Sequence, residues 1–223
     1  MTQRTTPPQP RRRTRRRLLA AVAGAVGALT WAAGSADAGP KWARIAGDHH
    51  SPSVVAASTA ALSAYDGFAA AGTPGAFVSY VHARDTAADT VAVEMRLDPA
   101  VVRAAWAKAD MAHQEATLAA LTQLGVPYRA LRSDPGSGFD CSGLTSWAWA
   151  RAGVRIAHQS SAQIGAARRV DESAAVAGDL VQYPGHVMLY LGVDRAIVHA
   201  SNPQSDVELS FQPRAVRFGD PAG

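Results

Sequence analysis

The sequence contains only one cysteine, Cys141, among its 223 residues. A lone cysteine in an exported chain is either buried and inert or is a thiol kept for its reactivity. Free cysteine is among the most buried residue types, so its sequence neighbours have to decide between these two interpretations.

A surplus of basic residues is also lacking once the first 38 residues are set aside. The whole chain has a formal net charge of +4, but residues 1–38 hold seven arginines against one aspartate, a net charge of +6. Residues 39–223 therefore carry −2. This distribution gives no support to a nucleic-acid partner or to an anionic membrane as a partner of the mature protein.

Residues 1–38 have the pattern of an export signal. The arginines end at Arg17, the apolar run Leu18–Ala33 follows, and Ala36-Asp37-Ala38 supplies the small residues that signal peptidase recognises. The run is short for a membrane span, which takes ~20 residues, so a cleaved signal is favoured over a retained anchor. Arg15-Arg16-Arg17 followed by leucines also resembles a twin-arginine signal. We predict a secreted or cell-wall protein that meets the membrane only through this signal.

After the leader the sequence divides into three regions. Residues 39–53 are polar and proline-bearing and predict a linker, and residues 54–109 are alanine-rich and predict several helices. A further helix is predicted from about Asp110 to Leu124, with Gly125 at its end. The predicted domains are thus a signal peptide (1–38), a linker (39–53), an N-terminal helical region (54–109) and a C-terminal domain (110–223).

The C-terminal domain passes from helix to strand along the chain. Residues 126–138 hold two prolines and no periodicity and predict a loop, and a helix follows from Cys141 to just before Gly153. Strands are predicted at 180–183, 186–191, 196–200 and 207–211. Helices followed by antiparallel strands indicate an α+β fold.

The residues around Cys141 favour a reactive thiol. Asp140 stands at the N-cap position, so Cys141 lies at a helix N-terminus, where free N–H groups and the helix dipole stabilise a thiolate. Gly143 has no side chain in the first turn, which lets a substrate or another backbone come close. The N–H groups of Cys141 and Ser142 would also point toward an oxyanion formed by attack.

A nucleophilic cysteine also needs a base, usually a histidine that a third polar group holds in place. If Val193-Asp194 is a two-residue hairpin turn, His199 faces Met188, and His186 lies on the same sheet face. The two histidines would then be diagonal neighbours at roughly 7–8 Å between backbones. A register shift of one residue would put them on opposite faces, and they would then be two unrelated histidines.

Several motifs in residues 125–211 resemble the NlpC family, the papain-like cysteine peptidases of the bacterial cell wall. Their order and spacing agree throughout, over nearly half of the mature chain. They are Gly-Val-Pro-Tyr (125–128), Gly-Phe-Asp-Cys-Ser-Gly-Leu (138–144), Gly-Asp-Leu-Val (178–181), His-Val-Met-Leu-Tyr-Leu-Gly (186–192) and Val-His-Ala-Ser (198–201).

This resemblance implies a papain-like core, with the nucleophile on a helix N-terminus packed on an antiparallel sheet and an α-helical segment ahead of it. It implies that Cys141 is the nucleophile, His186 the base and His199 the polar third member. In the family pattern Asp140 and Ser142 flank the nucleophile, and Tyr128 matches a tyrosine close to the thiol.

The sequence departs from the family at positions that line the substrate groove in its members. Residues 129–132 read Arg-Ala-Leu-Arg where the family has a Trp-Gly-Gly stretch, and residues 157–160 read Ala-His-Gln-Ser where it has Pro-Arg-Thr-Ser. His158 is either a groove residue or, the favoured interpretation, a solvated loop histidine. The adjacent His49 and His50 have no spaced partners and are read as solvated rather than as a metal site.

The function implied is hydrolysis of peptidoglycan stem peptides between D-isoglutamate and diaminopimelate, through an acyl-enzyme on Cys141. Such chemistry needs neither a metal nor an organic cofactor. Two alternatives stay open: a cell-wall amidase or acyltransferase on the same fold, and a non-catalytic wall-binding protein. The expected partner is the stem peptide, and the expected state is a monomer.

Overall fold

The protein is described here by a computed structural model that covers residues 51–212 and 214–223. These residues belong to one compact unit. The predicted export signal, most of the predicted linker and the His49-His50 pair lie outside the described residues.

Six α-helices and a short 3₁₀ helix, Glu172–Ala174, lie in the described part of the chain. The α-helices are α1 (Pro52–Ala71), α2 (Pro74–Met95), α3 (Pro99–Lys108), α4 (Met111–Leu121), α5 (Cys141–Arg151) and α6 (Ser160–Ala166). The first three begin at a proline, whose missing N–H is not needed in the first turn. The carboxylates of Asp98, Asp110 and Asp140 accept backbone N–H groups at the starts of α3, α4 and α5. The predicted helices are confirmed, although α1 begins two residues inside the predicted linker.

Eight strands in these residues form two antiparallel sheets. They are β1 (Ser133–Asp134), β2 (Gly138–Phe139), β3 (Arg168–Val170), β4 (Leu180–Tyr183), β5 (His186–Tyr190), β6 (Ala196–Ala200), β7 (Val207–Phe211) and β8 (Arg217–Asp220). The first two pair with each other inside the predicted loop, and the other six follow the order β3-β8-β4-β5-β6-β7. Helices packed beside an antiparallel sheet confirm the α+β class.

The β5–β6 hairpin has the predicted register. Leu189 pairs with Val198 and Tyr190 with Ile197, as a pairing of His199 with Met188 requires. The turn itself lies one residue later than predicted, because Asp194 and Arg195 hold the left-handed backbone conformations. The face shared by the two histidines is therefore confirmed.

Two strands of the large sheet, β3 and β8, and the helix α6 were not predicted. Strand β8 lies between β3 and β4, away from both edges of the sheet. Its sequence, Arg-Phe-Gly-Asp, has one large apolar residue and no alternation, so its pairing is decided by its neighbours rather than by its own residues.

The N-terminal helices share one hydrophobic core with the sheet. This core includes Val54 of α1, Tyr80 of α2 and Leu209 of β7. Trp106 of α3 is buried and donates its indole N–H to the Leu191 carbonyl, at the end of β5, over 3.0 Å. The helical region therefore packs on the C-terminal domain through this contact.

In the part of the chain that the structure describes, one helix, Pro52–Ala71, passes the length and hydropathy test for a membrane span. Core helices and signal sequences pass the same test, so the result assigns no location.

Candidate active site

The nucleophile position is built by the start of α5. Asp140 caps this helix: its Oδ1 accepts the Gly143 N–H over 2.7 Å and the Ser142 hydroxyl over 3.0 Å. Cys141 is the first helical residue and is partly buried. Asp140 is thus the N-cap residue, as predicted, and the thiol lies where the helix N–H groups are free.

Gly143 is required by a neighbouring backbone. A Cβ at this position would lie 1.9 Å from the Arg132 carbonyl oxygen, a distance that no side chain allows. The same oxygen accepts the Asp140 N–H over 3.0 Å. Of the two reasons predicted for a glycine here, close approach of another backbone is the one that the structure contains.

Strand β5 brings His186 to the thiol. The backbone N–H of Val187, the next residue, lies close enough to the Cys141 sulfur to lower the pKa of the thiol. His186 is itself buried, with 7% of its surface exposed. The start of β5 therefore lies against the start of α5.

His186 and His199 are in direct contact. The Nε2 atom of His186 lies 2.7 Å from Nδ1 of His199, and the two rings meet edge to face. One ring donates to the other, because a neutral imidazole has one N–H and one lone pair. The structure thus brings His186 into contact with His199, and Val187, the residue after His186, next to Cys141.

Protonation of the resting site differs from the expectation. Burial raises the pKa of the Cys141 thiol, and Asp140 adds to the rise, against the N–H groups of Val187 and Ser142. Burial, followed by the charges of His199 and Arg214, lowers the pKa of His186 to about 3. The N–H groups at the start of α5 lower the thiol pKa as predicted, but burial outweighs them and the net pKa is raised. Near neutral pH the site holds a thiol and a neutral imidazole.

Tyr128 lies beside the thiol, as the resemblance implied. Its backbone is held by a hydrogen bond to Ser205 and a bridge to Phe139. Burial raises the pKa of the Tyr128 hydroxyl, and the interaction with Cys141 raises it further.

His158 is more than a solvated loop histidine, and the favoured interpretation was wrong in that respect. Its Nε2 lies 2.9 Å from Asp140 Oδ1, with a third of its side chain exposed. The same aspartate accepts the Leu131 N–H through Oδ2, over 2.8 Å. Both segments that depart from the family pattern thus meet the N-cap of the nucleophile helix.

Two functional candidates were missed by sequence reasoning. Arg214 lies near His186 and stacks over the Tyr183 ring at 4.6 Å, and Glu208 lies opposite His199 in the β6–β7 pair. The six-residue connection between β6 and β7 contains the turn signal Asn202-Pro203, but this signal does not determine the strand register, so Glu208 could not be placed opposite His199 from the sequence.

Within the described residues, one group of side chains has the spacing of metal ligands: His113, Asp179 and Asp220, all buried. The His113 Nε2 atom lies 3.3 Å from an oxygen of each aspartate. Asp179 precedes β4, whose other end pairs with the start of β5, so the group lies at the end of the sheet away from His186. The charges of His113 and Arg168 balance these two carboxylates without a metal.

A cysteine on a helix N-terminus, packed against histidines of an antiparallel sheet, defines the papain-like class of cysteine peptidases. Residues 125–214 match the model of the NlpC/P60 family.

The similar curated proteins are endopeptidases by name. The bifunctional muramidase/DL-endopeptidase CwlT of Bacillus subtilis is 40% identical over 84 residues, 34% of this chain and 26% of that protein. A probable endopeptidase of Corynebacterium glutamicum is 42% identical over 108 residues, 45% of this chain and 51% of that protein. The chain thus spans about a quarter to a half of the curated relatives it matches. Among solved structures, the P60 domain of an M. avium subspecies paratuberculosis antigen is 27% identical, with a TM-score of 0.45, over 50% of this chain and 96% of that one.

Proposed function

We propose that this protein is an exported cysteine peptidase that hydrolyses peptidoglycan stem peptides, at the bond between D-isoglutamate and diaminopimelate. The observation that carries the proposal is the contact of His186 with His199 beside a thiol at the start of α5. The name of the relative CwlT, a DL-endopeptidase, supports the choice of bond.

The chemistry starts from a neutral pair. Since Nε2 of His186 is held by His199, Nδ1 is the ring nitrogen left for the thiol. His186 takes the thiol proton as sulfur attacks the scissile carbonyl, and the N–H groups of Cys141 and Ser142 hold the oxyanion. The C–N bond then breaks, and the protonated His186 gives its proton to the leaving amine. Water hydrolyses the thioester with His186 again as base, which frees the acid and restores the thiol.

Asp140, Ser142 and Tyr128 act around this step in the proposal. Asp140 and Ser142 fix the first turn of α5, because the hydroxyl and the Gly143 N–H both end on the same carboxylate oxygen. Tyr128 forms the groove wall on the side of the thiol that Phe139 supports.

The two alternatives predict different products. An amidase or acyltransferase would use the same three residues but cut another wall bond or pass the acyl group to an amine instead of water. A wall-binding protein would form no product at all. No observation favours either of them over hydrolysis.

We further propose that residues 1–38 are a cleaved export signal and that the mature chain is a monomer, made of the helical region (54–109) and the catalytic domain (110–223). The net charge of −2 of residues 39–223 supports a monomer. A dimer in light scattering would contradict it.

The test is digestion of diaminopimelate-type peptidoglycan by the mature chain and by its Cys141→Ala variant, with mass spectrometry of the fragments. We expect the wild type to release fragments cut at the D-isoglutamyl–diaminopimelate bond and the variant to release none. Fragments cut elsewhere would support the amidase alternative. Absence of any product from folded wild type would contradict the proposed peptidase.

A further inference from the structure

Glu208 lies directly behind His199 in the sheet. The two residues are paired across β6 and β7, and Glu208 is 95% buried. Its Oε1 lies 3.5 Å from Nε2 of His199, and its Oε2 accepts the Ser205 hydroxyl over 3.3 Å. The carboxylate thus faces the ring nitrogen that points away from His186.

That ring nitrogen is a buried polar atom without a hydrogen bond, which is energetically unfavourable. Nε2 of His199 is fully buried and forms no hydrogen bond within standard distance and angle limits. A buried polar atom without a partner costs about 1–3 kcal/mol, and the Glu208 carboxylate is close enough to satisfy it after a small movement. Hydrogen bonds at catalytic sites are often long in the free protein and shorten when the substrate is bound.

We propose that Glu208 is a positioning residue that sets the tautomer of both histidines. A carboxylate only accepts, so it holds the proton of His199 on Nε2. The lone pair of His199 is then on Nδ1, where it accepts the Nε2–H of His186 over the observed 2.7 Å. His186 therefore has its own lone pair on Nδ1, the nitrogen that takes the thiol proton.

The opposite tautomer would disable the base. A proton on Nδ1 of His199 would make Nε2 of His186 the acceptor and would put the His186 proton on Nδ1, facing the thiol. His186 could then take no proton from Cys141. Once His186 is protonated during attack, the Glu208 charge also stabilises the imidazolium through His199, with no proton transfer to Glu208 itself.

This inference rests on the proposed function for its kinetic part, so the experiment has one arm that needs a stem peptide and one that does not. The first arm measures kcat and KM on a soluble stem peptide. The second measures the rate of Cys141 alkylation by iodoacetamide from pH 5 to 10. Since burial raises the thiol pKa, we expect the wild-type alkylation rate to keep rising above about pH 8.5, the ordinary value for cysteine.

The variants separate charge from packing. Glu208→Gln has nearly the same shape, but its amide can turn and donate to Nε2 of His199, which admits the wrong tautomer. Glu208→Asp keeps the carboxylate. Glu115→Gln is the matched control, because Glu115 is also 95% buried but pairs with Arg151, at the opposite end of α5 from Cys141.

We expect Glu208→Gln to lower kcat roughly tenfold to a hundredfold, the range for removal of a group that orients a functional histidine. KM should stay within about twofold, because the substitution does not touch the groove. The pH dependence of Cys141 alkylation should shift to higher pH, because His186 in the wrong tautomer cannot take the thiol proton. Glu208→Asp should restore part of both losses, and Glu115→Gln should cause neither.

Two results would overturn the inference. One is a Glu208→Gln variant within twofold of wild type in both kcat and alkylation. The other is equal loss in the Gln and Asp variants, with a melting temperature far below that of Glu115→Gln, which would make Glu208 a structural residue. If wild type cleaves no stem peptide but Glu208→Gln still shifts alkylation, the proposed function fails and the tautomer role stands.

Discussion

At the scale of single residues, one carboxylate organises the nucleophile and its surroundings. Asp140 accepts the Gly143 N–H, the Ser142 hydroxyl and the Leu131 N–H, and it also contacts His158. The loop before α5 and the segment after it are therefore both bonded to the residue that caps the nucleophile helix. Substitutions in either segment should change the groove without moving the nucleophile.

Leu131 is strained by this arrangement. Its φ is +57°, in the left-handed region that costs an L-residue ~1–2 kcal/mol, and its side chain is 87% exposed. Leu131→Gly removes the strain and loses little packing, but glycine has ~0.5–1 kcal/mol more backbone entropy to lose on folding. We expect a net gain of about 0.5–1 kcal/mol in the free energy of unfolding, measured with urea.

Arg96→Gly is the control for that variant. Arg96 has a φ of +56° at the end of α2, so it carries the same strain at a distance from the site. A gain in the control but a loss for Leu131→Gly would mean that the leucine side chain forms stabilising contacts that its exposure hides.

At the scale of elements, a buried histidine joins α4 to the sheet. His113 lies near the start of α4 and contacts Asp179 and Asp220, with Asp110 on its other ring nitrogen and the Trp149 ring at its edge. Burial lowers the pKa of His113, but Asp179 and Asp110 outweigh it, and the net pKa is raised. The imidazolium therefore ties the helix to the sheet.

The raised pKa of His113 determines how its contribution to stability changes with pH. A raised pKa gives stability that is fully present below the unfolded value of about 6.5 and is lost as pH rises through the folded pKa. We expect His113→Gln to cost roughly 3 kcal/mol at pH 5.5, since it leaves the buried Asp179 carboxylate without a charged partner. The difference in the free energy of unfolding between wild type and variant, measured with urea at several pH values, should shrink toward pH 9. A difference that grows with pH would show that His113 is neutral in the fold.

Elements with local signals could be predicted, and those without could not. Alanine-rich composition predicted the helices of residues 54–109, Asp140 marked the start of α5, and β4 to β7 had apolar runs bounded by turns. Strand β8 and helix α6 lacked both, and α6 starts from Gln159, a residue that rarely caps a helix. Their positions depend on contacts with distant parts of the chain.

The same division holds for the site. Cys141 and Asp140 belong to one local motif, and His186 and His199 to one hairpin, so each pair could be predicted from neighbouring residues. Glu208 lies 9 residues from His199 in the sequence, and His158 lies 18 residues from Asp140. No pattern among neighbouring residues predicts either contact. Burial of the thiol, which reverses the expected pKa shift, is likewise a property of the packed structure.

At the scale of the whole molecule, the N-terminal helices are part of the folded unit rather than an added arm. Trp106 of α3 is buried against the end of β5 and bonds Leu191 there. Its neighbours in the core come from both sides of residue 110. A chain that started at Asp110 would expose this apolar surface.

Trp106→Ala tests that integration. We expect a loss of about 3–5 kcal/mol in the free energy of unfolding, the usual cost of removing a large buried aromatic side chain. Phe77→Ala, at a residue that is 43% exposed, should cost much less. Urea unfolding should remain a single transition in both, and a separate transition of the sheet region would contradict one shared core.

The turn between β5 and β6 has a consequence for how such chains vary. His186 and His199 share a face only because the pairing of their strands is fixed across residues 192–195. Insertion or deletion of a single residue that shifted this pairing would turn one histidine away from the other, together with every other side chain of its strand. The length of a surface turn is thus as much a part of the active site as the imidazoles, and related chains should tolerate new residues there less readily than new side chains.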